Sequence, residues 1–392
     1  MITQVRVARP EIILNGEDYY SSLAPYFLNM TYTDNCDGEK ADDLQLQLAD
    51  RDRRFINDWM PDPGVFMDVS ILCERWFAPN AATLKLDCGR FWIDTVDFEL
   101  PQHTVSIKAS SIPTDQRIKG GNETRGWEDT SLEDITNQIA SENGMLVDWQ
   151  ANYNPKYKRT EQTEESGLCY IKKRANEAKL AIKVHRNSIV VFDEEDLEAQ
   201  APSFTLVYGN VPATAGMSCY RMSAGHFSLK VTDSKKKVGL KYLNPETGRL
   251  TKQEAETDDE DAPDYGTELI DDPAYDPDEG GGNGGLLLVP RAGAGGLVDW
   301  DANNPDANAG KGAGGNAKGQ RRAKSELRDA NKDKESASVD MAIGNPLIAS
   351  GMTFLLQGCG QFDGKWFIQS ATHSVGPMYD TKLSIRRCLE GY

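Results

Sequence analysis

Paired carboxylates are the residues of this chain with the most direct chemical potential. Asp42-Asp43, Glu164-Glu165 and Glu194-Glu195 could supply the two carboxyl groups that a glycosidase places at a set separation across a sugar bond. All three pairs fall in polar strands or loops, so the favoured reading is a set of solvated faces. His373, within Ala371-Thr372-His373-Ser374, could act as a general base. It lies in a predicted strand without a serine–acid pair to complete a triad, and a hydrogen-bonded structural histidine is expected. The run Asp258-Asp259-Glu260-Asp261-Ala262-Pro263-Asp264-Tyr265-Gly266 lacks the alternating ligands and closing glutamate of a calcium loop, and Pro263 interrupts it. Gly280-Gly281-Gly282-Asn283-Gly284-Gly285 has neither a phosphate-loop lysine nor a strand–helix frame, and reads as a flexible linker.

The seven cysteines, Cys36, Cys73, Cys88, Cys169, Cys219, Cys359 and Cys388, form no Cys-x-x-Cys pair. The histidines His103, His185, His226 and His373 are not spaced as zinc ligands. Reduced, buried thiols are expected, with an interchain disulfide as the alternative. No catalytic, cofactor-binding or metal-binding residue is predicted, and no cofactor.

Bulk properties narrow the partners. No apolar run approaches the roughly 20 residues of a membrane-spanning helix, and Met1-Ile2-Thr3-Gln4-Val5-Arg6 lacks the layout of a signal peptide. A chain that starts in the cytoplasm and does not insert into membranes is expected. The net charge of −18 over 392 residues argues against binding phosphate backbones or anionic membrane surfaces. Its simplest consequence is solubility. Around a DNA conduit, an acidic wall would also repel DNA and let it slide.

The elements that must position any site are mostly strands. Residues 1–113 read as all-β: Leu44, Leu46 and Leu48 alternate strictly with Asp43, Gln45 and Gln47, the pattern of a half-buried antiparallel strand. A helical turn is expected around Arg54 to Trp59, and a hairpin with its turn at Gly89-Arg90. Residues 114–204 change to α+β. Thr130-Ser131-Leu132-Glu133 is read as a capping box before a stripe of Leu132, Ile135 and Ile139. A second helix over Glu165 to Lys179 follows, then a tight hairpin at Arg186-Asn187. Strands return over 205–250 and again over 336–392, which together are expected to form one sheet. Residues 251–335 form an acidic, then Gly-rich insertion with a short basic helix around Arg321, Arg322 and Lys324. Its composition buries too little to offset ordering entropy, so a mobile loop or a segment folding on a partner is expected. The architecture is thus mainly β with an α+β insertion, in two β domains of which the second is interrupted.

The last segment is the most distinctive. It runs Gly344-Asn345-Pro346, Ala349-Ser350-Gly351, then Gly358-Cys359-Gly360-Gln361-Phe362-Asp363-Gly364, Trp366-Phe367-Ile368, Ala371-Thr372-His373 and Arg386-Arg387. This order resembles the closing segment of the phage late control D family, the hub proteins of contractile tail baseplates. Ala41-Asp42-Asp43-Leu44-Gln45-Leu46 with Asp50-Arg51-Asp52 and Trp59, and Leu132 through Gly144 with Glu161-Gln162-Thr163-Glu164-Glu165-Ser166, resemble its early strand and middle domain. The insertion departs from the family's more compact pattern.

The resemblance implies two similar antiparallel, tube-like β-barrels, at 1–113 and at 205–250 with 336–392. Between them it places the α+β domain, 114–204. It further implies a non-enzymatic homotrimer joining the hexameric tail tube, or a tube-initiator protein, to the trimeric central spike. Contacts would extend to the tape measure and baseplate wedge proteins, with DNA only as passing cargo. The expected location is the virion tail baseplate, assembled in the host cytoplasm. The alternatives are the hub of a tailocin or other contractile injection system and, in another class, a tail-associated peptidoglycan hydrolase.

Overall fold

Alternating apolar and polar residues build most of the molecule as strands. The computed structural model describes residues 5–36, 40–62, 64–78, 80–113, 121–211, 216–230, 237–244, 249–256, 267–271 and 317–389. The acidic run 258–266, the glycines of 280–285 and the side chains of Arg321 and Arg322 lie outside the described residues.

The first β unit comprises β1 (Val7–Leu14), the two-residue β2 (Glu17–Asp18), the one-turn helix α1 (Tyr20–Leu23), β3 (Phe27–Asn35), β4 (Asp43–Ala49), β5 (Phe66–Glu74), β6 (Leu84–Glu99) and β7 (Thr104–Ser110). Its strand order is β3-β4-β7-β6-β5-β1, antiparallel throughout. Leu44, Leu46 and Leu48 point into a core with Met30, Ile71, Phe91 and Val105. Burying each such side chain contributes about 1.5–3 kcal/mol.

The expected hairpin at Gly89-Arg90 is instead a bulge in one continuous strand. Opposite β6, Val69 pairs with Gly89 and Ser70 with Asp87, leaving Cys88 as the extra residue. Gly89 takes φ +100°, a conformation that side-chain-bearing residues rarely adopt, so the glycine marks a kink rather than a reversal.

The middle unit contains β8 (Glu123–Ser131), α2 (Leu132–Glu142), β9 (Leu146–Trp149), β10 (Lys156–Glu165), α3 (Gly167–Ala178), β11 (Ala181–His185), β12 (Ser188–Phe192) and the short α4 (Glu194–Ala199). The capping box lies one residue later than the sequence reading placed it. Ser131 Oγ accepts from Asp134 N–H at 3.2 Å while Asp134 accepts from Ser131 N–H at 3.3 Å. Leu132, Ile135 and Ile139 of α2 face Leu168, Ile171 and Ala175 of α3 over the β9, β11 and β12 sheet. Arg186 and Asn187 both have positive φ, 50° and 61°, which the two-residue turn joining β11 to β12 requires.

The second β unit is assembled from β13 (Phe204–Val207) and β14 (Cys219–Leu229), then, after the insertion, from β18 (Glu335–Met341), β19 (Thr353–Gln357), β20 (Gly364–Val375) and β21 (Tyr379–Arg387). Six strands close into a barrel in the order β14-β18-β21-β20-β19-β13, with β13 returning to β14. It is antiparallel except at β13, which runs parallel to both neighbours. That strand is buried along its whole length, the hydroxyl-bearing Thr205 included. Trp366, Phe354, Leu356 and Ile385 fill the interior.

Part of the insertion has regular structure. The backbone of β15 (Lys237–Asn244), β16 (Arg249–Glu256) and β17 (Thr267–Asp271) forms a separate three-stranded sheet against which α5 (Ala317–Asn331) packs. The segment Val238 to Leu243, expected in the second barrel, pairs here instead. Residues 251–256, expected in a mobile loop or a segment folding on a partner, complete the hairpin with β15. Their polar composition hid a strand specified by cross-strand pairing rather than by an apolar face.

Candidate assembly site

The two β units meet edge to edge. The C-terminal half of β20 pairs antiparallel with the C-terminal half of β3, from Ser370 opposite Asn35 to Val375 opposite Met30. Thr31 and Ser374 hydroxyls lie 3.4 Å apart, as do those of Thr33 and Thr372. One sheet therefore runs through both units. Trp76 Nε1 donates to the Gly344 carbonyl at 2.6 Å, and its ring packs on Tyr379 at 5.3 Å, so the Gly-Asn-Pro turn is pinned to the first unit.

A buried polar knot ties all three units at this seam. Asp34 and Asp42 come from the first unit, Lys183 and His185 from β11, and Ser350 from the second unit. Lys183 forms an ion pair with Asp34 and lies 3.4 Å from Asp42, while His185 Nδ1 lies 3.3 Å from Asp42. Ser350 N–H donates to Asp34 at 2.7 Å, and Asn35 N–H to Asp42 at 2.9 Å. Burial alone would push the Asp34 carboxyl up, but Lys183 and Ser350 outweigh it and hold it below its ordinary value. Burial likewise works against the Lys183 ammonium, and the two aspartates overcome it, raising its pKa.

A second knot locks the far side. Arg386 of β21 reaches Glu194 at 2.9 Å and Glu198 at 2.5 Å, Arg328 of α5 reaches Glu198 at 2.9 Å, and Leu389 N–H donates to Glu198 at 2.9 Å. The Arg386 guanidinium lies over the Phe367 ring, 4.7 Å from its centroid. Trp366 points into the barrel, whereas Phe367 joins Cys36, Ala181, Phe192 and Cys388 between units. These adjacent aromatics therefore face opposite ways, one into the barrel core and the other into the contact between units.

The carboxylate pairs are not brought together as a catalytic pair. Asp42 is 1% exposed and Glu194 is bound to Arg386, so for these two the solvated-face reading is overturned by ion pairing with residues far away in sequence. Glu164 and Glu195 are exposed. His373 is buried: its Nδ1 lies 2.8 Å from Tyr379 Oη and 3.2 Å from Thr381 Oγ1, and Nε2 lies 3.1 Å from the Ile348 carbonyl. Nε2 therefore carries the proton and donates, while Nδ1 accepts. Burial pushes its pKa down to about 4. Cys36, Cys73, Cys88 and Cys388 are buried thiols outside any disulfide, but Cys169 is exposed and Cys219 and Cys359 are half-buried. Among the described residues, no group of three His, Cys, Asp or Glu side chains is placed to hold a metal ion.

What the geometry supplies is repetition. Numbering the six barrel strands of each unit in chain order, β1, β3, β4, β5, β6, β7 correspond to β13, β14, β18, β19, β20, β21. The first unit's order, β3-β4-β7-β6-β5-β1, then becomes the second's, β14-β18-β21-β20-β19-β13, without exception. The first strand runs in opposite senses in the two units, and hydrogen-bonded ring closure is found in the second. The chain has the fold of a phage tail protein. It superimposes on a tail protein from Neisseria meningitidis MC58 with a TM-score of 0.63 at 11% identity, covering 97% of this chain and 96% of that one. The 43 kDa tail protein of prophage MuSo2 from Shewanella oneidensis gives 0.60 at 9% identity, covering 97% of each. A component of the Escherichia coli type VI secretion system, described as similar to T4 tail proteins gp27 and gp5, gives 0.50 at 8% identity over 97% of this chain and 78% of that one. No protein-family model and no curated protein sequence matches the chain. The tail-protein fold is therefore visible in the strand arrangement rather than in residue identity.

Proposed function

We propose that the chain is the hub of a contractile phage tail baseplate. Three copies form a ring, join the hexameric tail tube to the trimeric central spike, and line part of the channel. The observation that carries this reading is the repeated strand order within one chain. A sixfold tube and a threefold spike share equivalent contacts only through an adaptor offering six similar surfaces on one side and three on the other. A chain with two like units, present three times, meets that requirement. Likeness to solved tail proteins over nearly the whole length supports it. The likeness to a secretion-system component keeps the hub of another contractile injection system as the second reading.

The protein acts by shape, without catalytic residues. Asp42 and Glu194, the members of two candidate carboxylate pairs, are committed to cations that hold the units together. Co-purification with the tube and spike proteins of the same particle tests the reading. A ternary complex is expected. Binding to neither partner, together with cleavage of purified peptidoglycan, would replace the hub by the tail-associated hydrolase.

A further inference from the structure

The seam between the two units is head-to-tail, and each unit retains the half that the other used. Within the chain, strand two of the first unit, β3, pairs with strand five of the second, β20, through their C-terminal halves. The equivalent halves are strand two of the second unit, Met222–Leu229 of β14, and strand five of the first, Asp94–Glu99 of β6. Met222–Leu229 pairs with β18 on one side, while β13 covers only Cys219 to Arg221 on the other. Asp94–Glu99 pairs with β7 on one side, and β5 ends opposite Trp92. Among the described residues, no strand lies beyond either segment.

We propose that these two open edges pair with each other between copies, Met222–Leu229 of one protomer adding antiparallel to Asp94–Glu99 of the next. The occupant is a second copy of this chain because the seam inside the chain is already the same contact. A sheet edge with unpaired N–H and C=O groups is a template for strand addition, and long open edges are otherwise guarded. Composition agrees. The β14 edge exposes Ser223, Ala224, Gly225 and His226 and is flanked by exposed Arg221 and Lys230. The β6 edge exposes Asp94, Asp97 and Glu99. Leu229 and Leu100, at the ends of the two segments, are 54% and 60% exposed and would be covered on pairing. Because the contact joins two different surfaces, it generates a ring or an open fibre rather than a twofold dimer. The hub reading supplies only the number of copies.

The test uses the full chain with the accessible Cys169, Cys219 and Cys359 replaced by serine and one cysteine placed on each edge, combining Ser223→Cys, His226→Cys or Ser228→Cys in turn with Asp94→Cys, Asp97→Cys or Glu99→Cys. Mild oxidation and denaturing electrophoresis read covalent species, while native mass spectrometry reads copy number. At least one combination should cross-link into dimers and closed trimers, since facing residues of paired strands fall within disulfide reach. Mixing two single variants, such as His226→Cys and Asp97→Cys, should stop at dimers, and each single variant alone should give none. Trimers by native mass with no cross-link in any combination would overturn the edge pairing and leave the hub reading standing. Cross-linked rings of another copy number would support the edges and overturn the trimer. No association in any preparation would overturn both.

Discussion

The ammonium of Lys183, on the middle unit, is ion-paired with the carboxylate of Asp34 on the first unit, and both are largely withdrawn from water. Ser350 of the second unit donates its N–H to the same carboxylate. One buried charge therefore reports on the docking of all three units.

Breaking this pair should be costly. Lys183→Met leaves Asp34 and Asp42 buried without their cation, a change worth roughly 3–5 kcal/mol. Chemical denaturation should show that loss as a lower midpoint.

Acid should then affect the two proteins differently. The folded Asp34 pKa lies below its ordinary value of 3.8, so the pair's contribution is full above that value and is lost as pH falls through the lower folded pKa. In Lys183→Met, burial would instead push the carboxyl up, so the folded state would take up protons first. The stability gap between wild type and variant should therefore narrow as pH falls from neutrality toward the ordinary value of 3.8. Urea titrations across that range check it.

His373 sets a second pH dependence, with the sign fixed by its depressed pKa. Above the ordinary 6.5 both folded and unfolded states are neutral there. Between 6.5 and about 4 only the unfolded chain binds the proton, so stability falls; below that no further loss arises from this group. The shift corresponds to about 3 kcal/mol at 1.36 kcal/mol per unit. His373→Gln should flatten the stability profile across this window.

Thiol reactivity should follow burial. Burial pushes Cys36 and Cys73 up to about 12, so neither ionises near neutrality, whereas Cys169 is exposed. Alkylation of the folded chain followed by peptide mapping should label Cys169 first. Cys36, Cys73, Cys88 and Cys388 should react after denaturation.

Gly344 is required by a close approach rather than by backbone conformation. A Cβ there would lie 2.5 Å from the Tyr379 carbonyl oxygen, which is backbone and cannot swing away. Gly344→Ala should cost about 1–3 kcal/mol in thermal or chemical unfolding, and should loosen the Trp76 contact that joins the units.

Features with local causes were legible in the sequence. The alternation of Leu44, Leu46 and Leu48, the helical stripe from Leu132 and the Arg186-Asn187 turn each depend on residues within one turn or one strand. Gly89 was ambiguous because the same freedom at positive φ serves a hairpin and a bulge; only pairing with Val69 and Ser70 decides. The polar strand at Arg249–Glu256 carries no apolar face to announce it. Asp42 looked like a surface carboxylate because its partner, Lys183, lies in a different unit far along the chain. The assembly seam was equally hidden, since the repeated strand order is a property of pairing and leaves no matching motif.

A mass measurement on the purified full chain, by native mass spectrometry with imaging of the same particles, tests the account most directly. It predicts three copies in a closed ring with six like units around the axis. A stable monomer at every concentration, or a ring whose two units per copy sit at unlike radii, would contradict it.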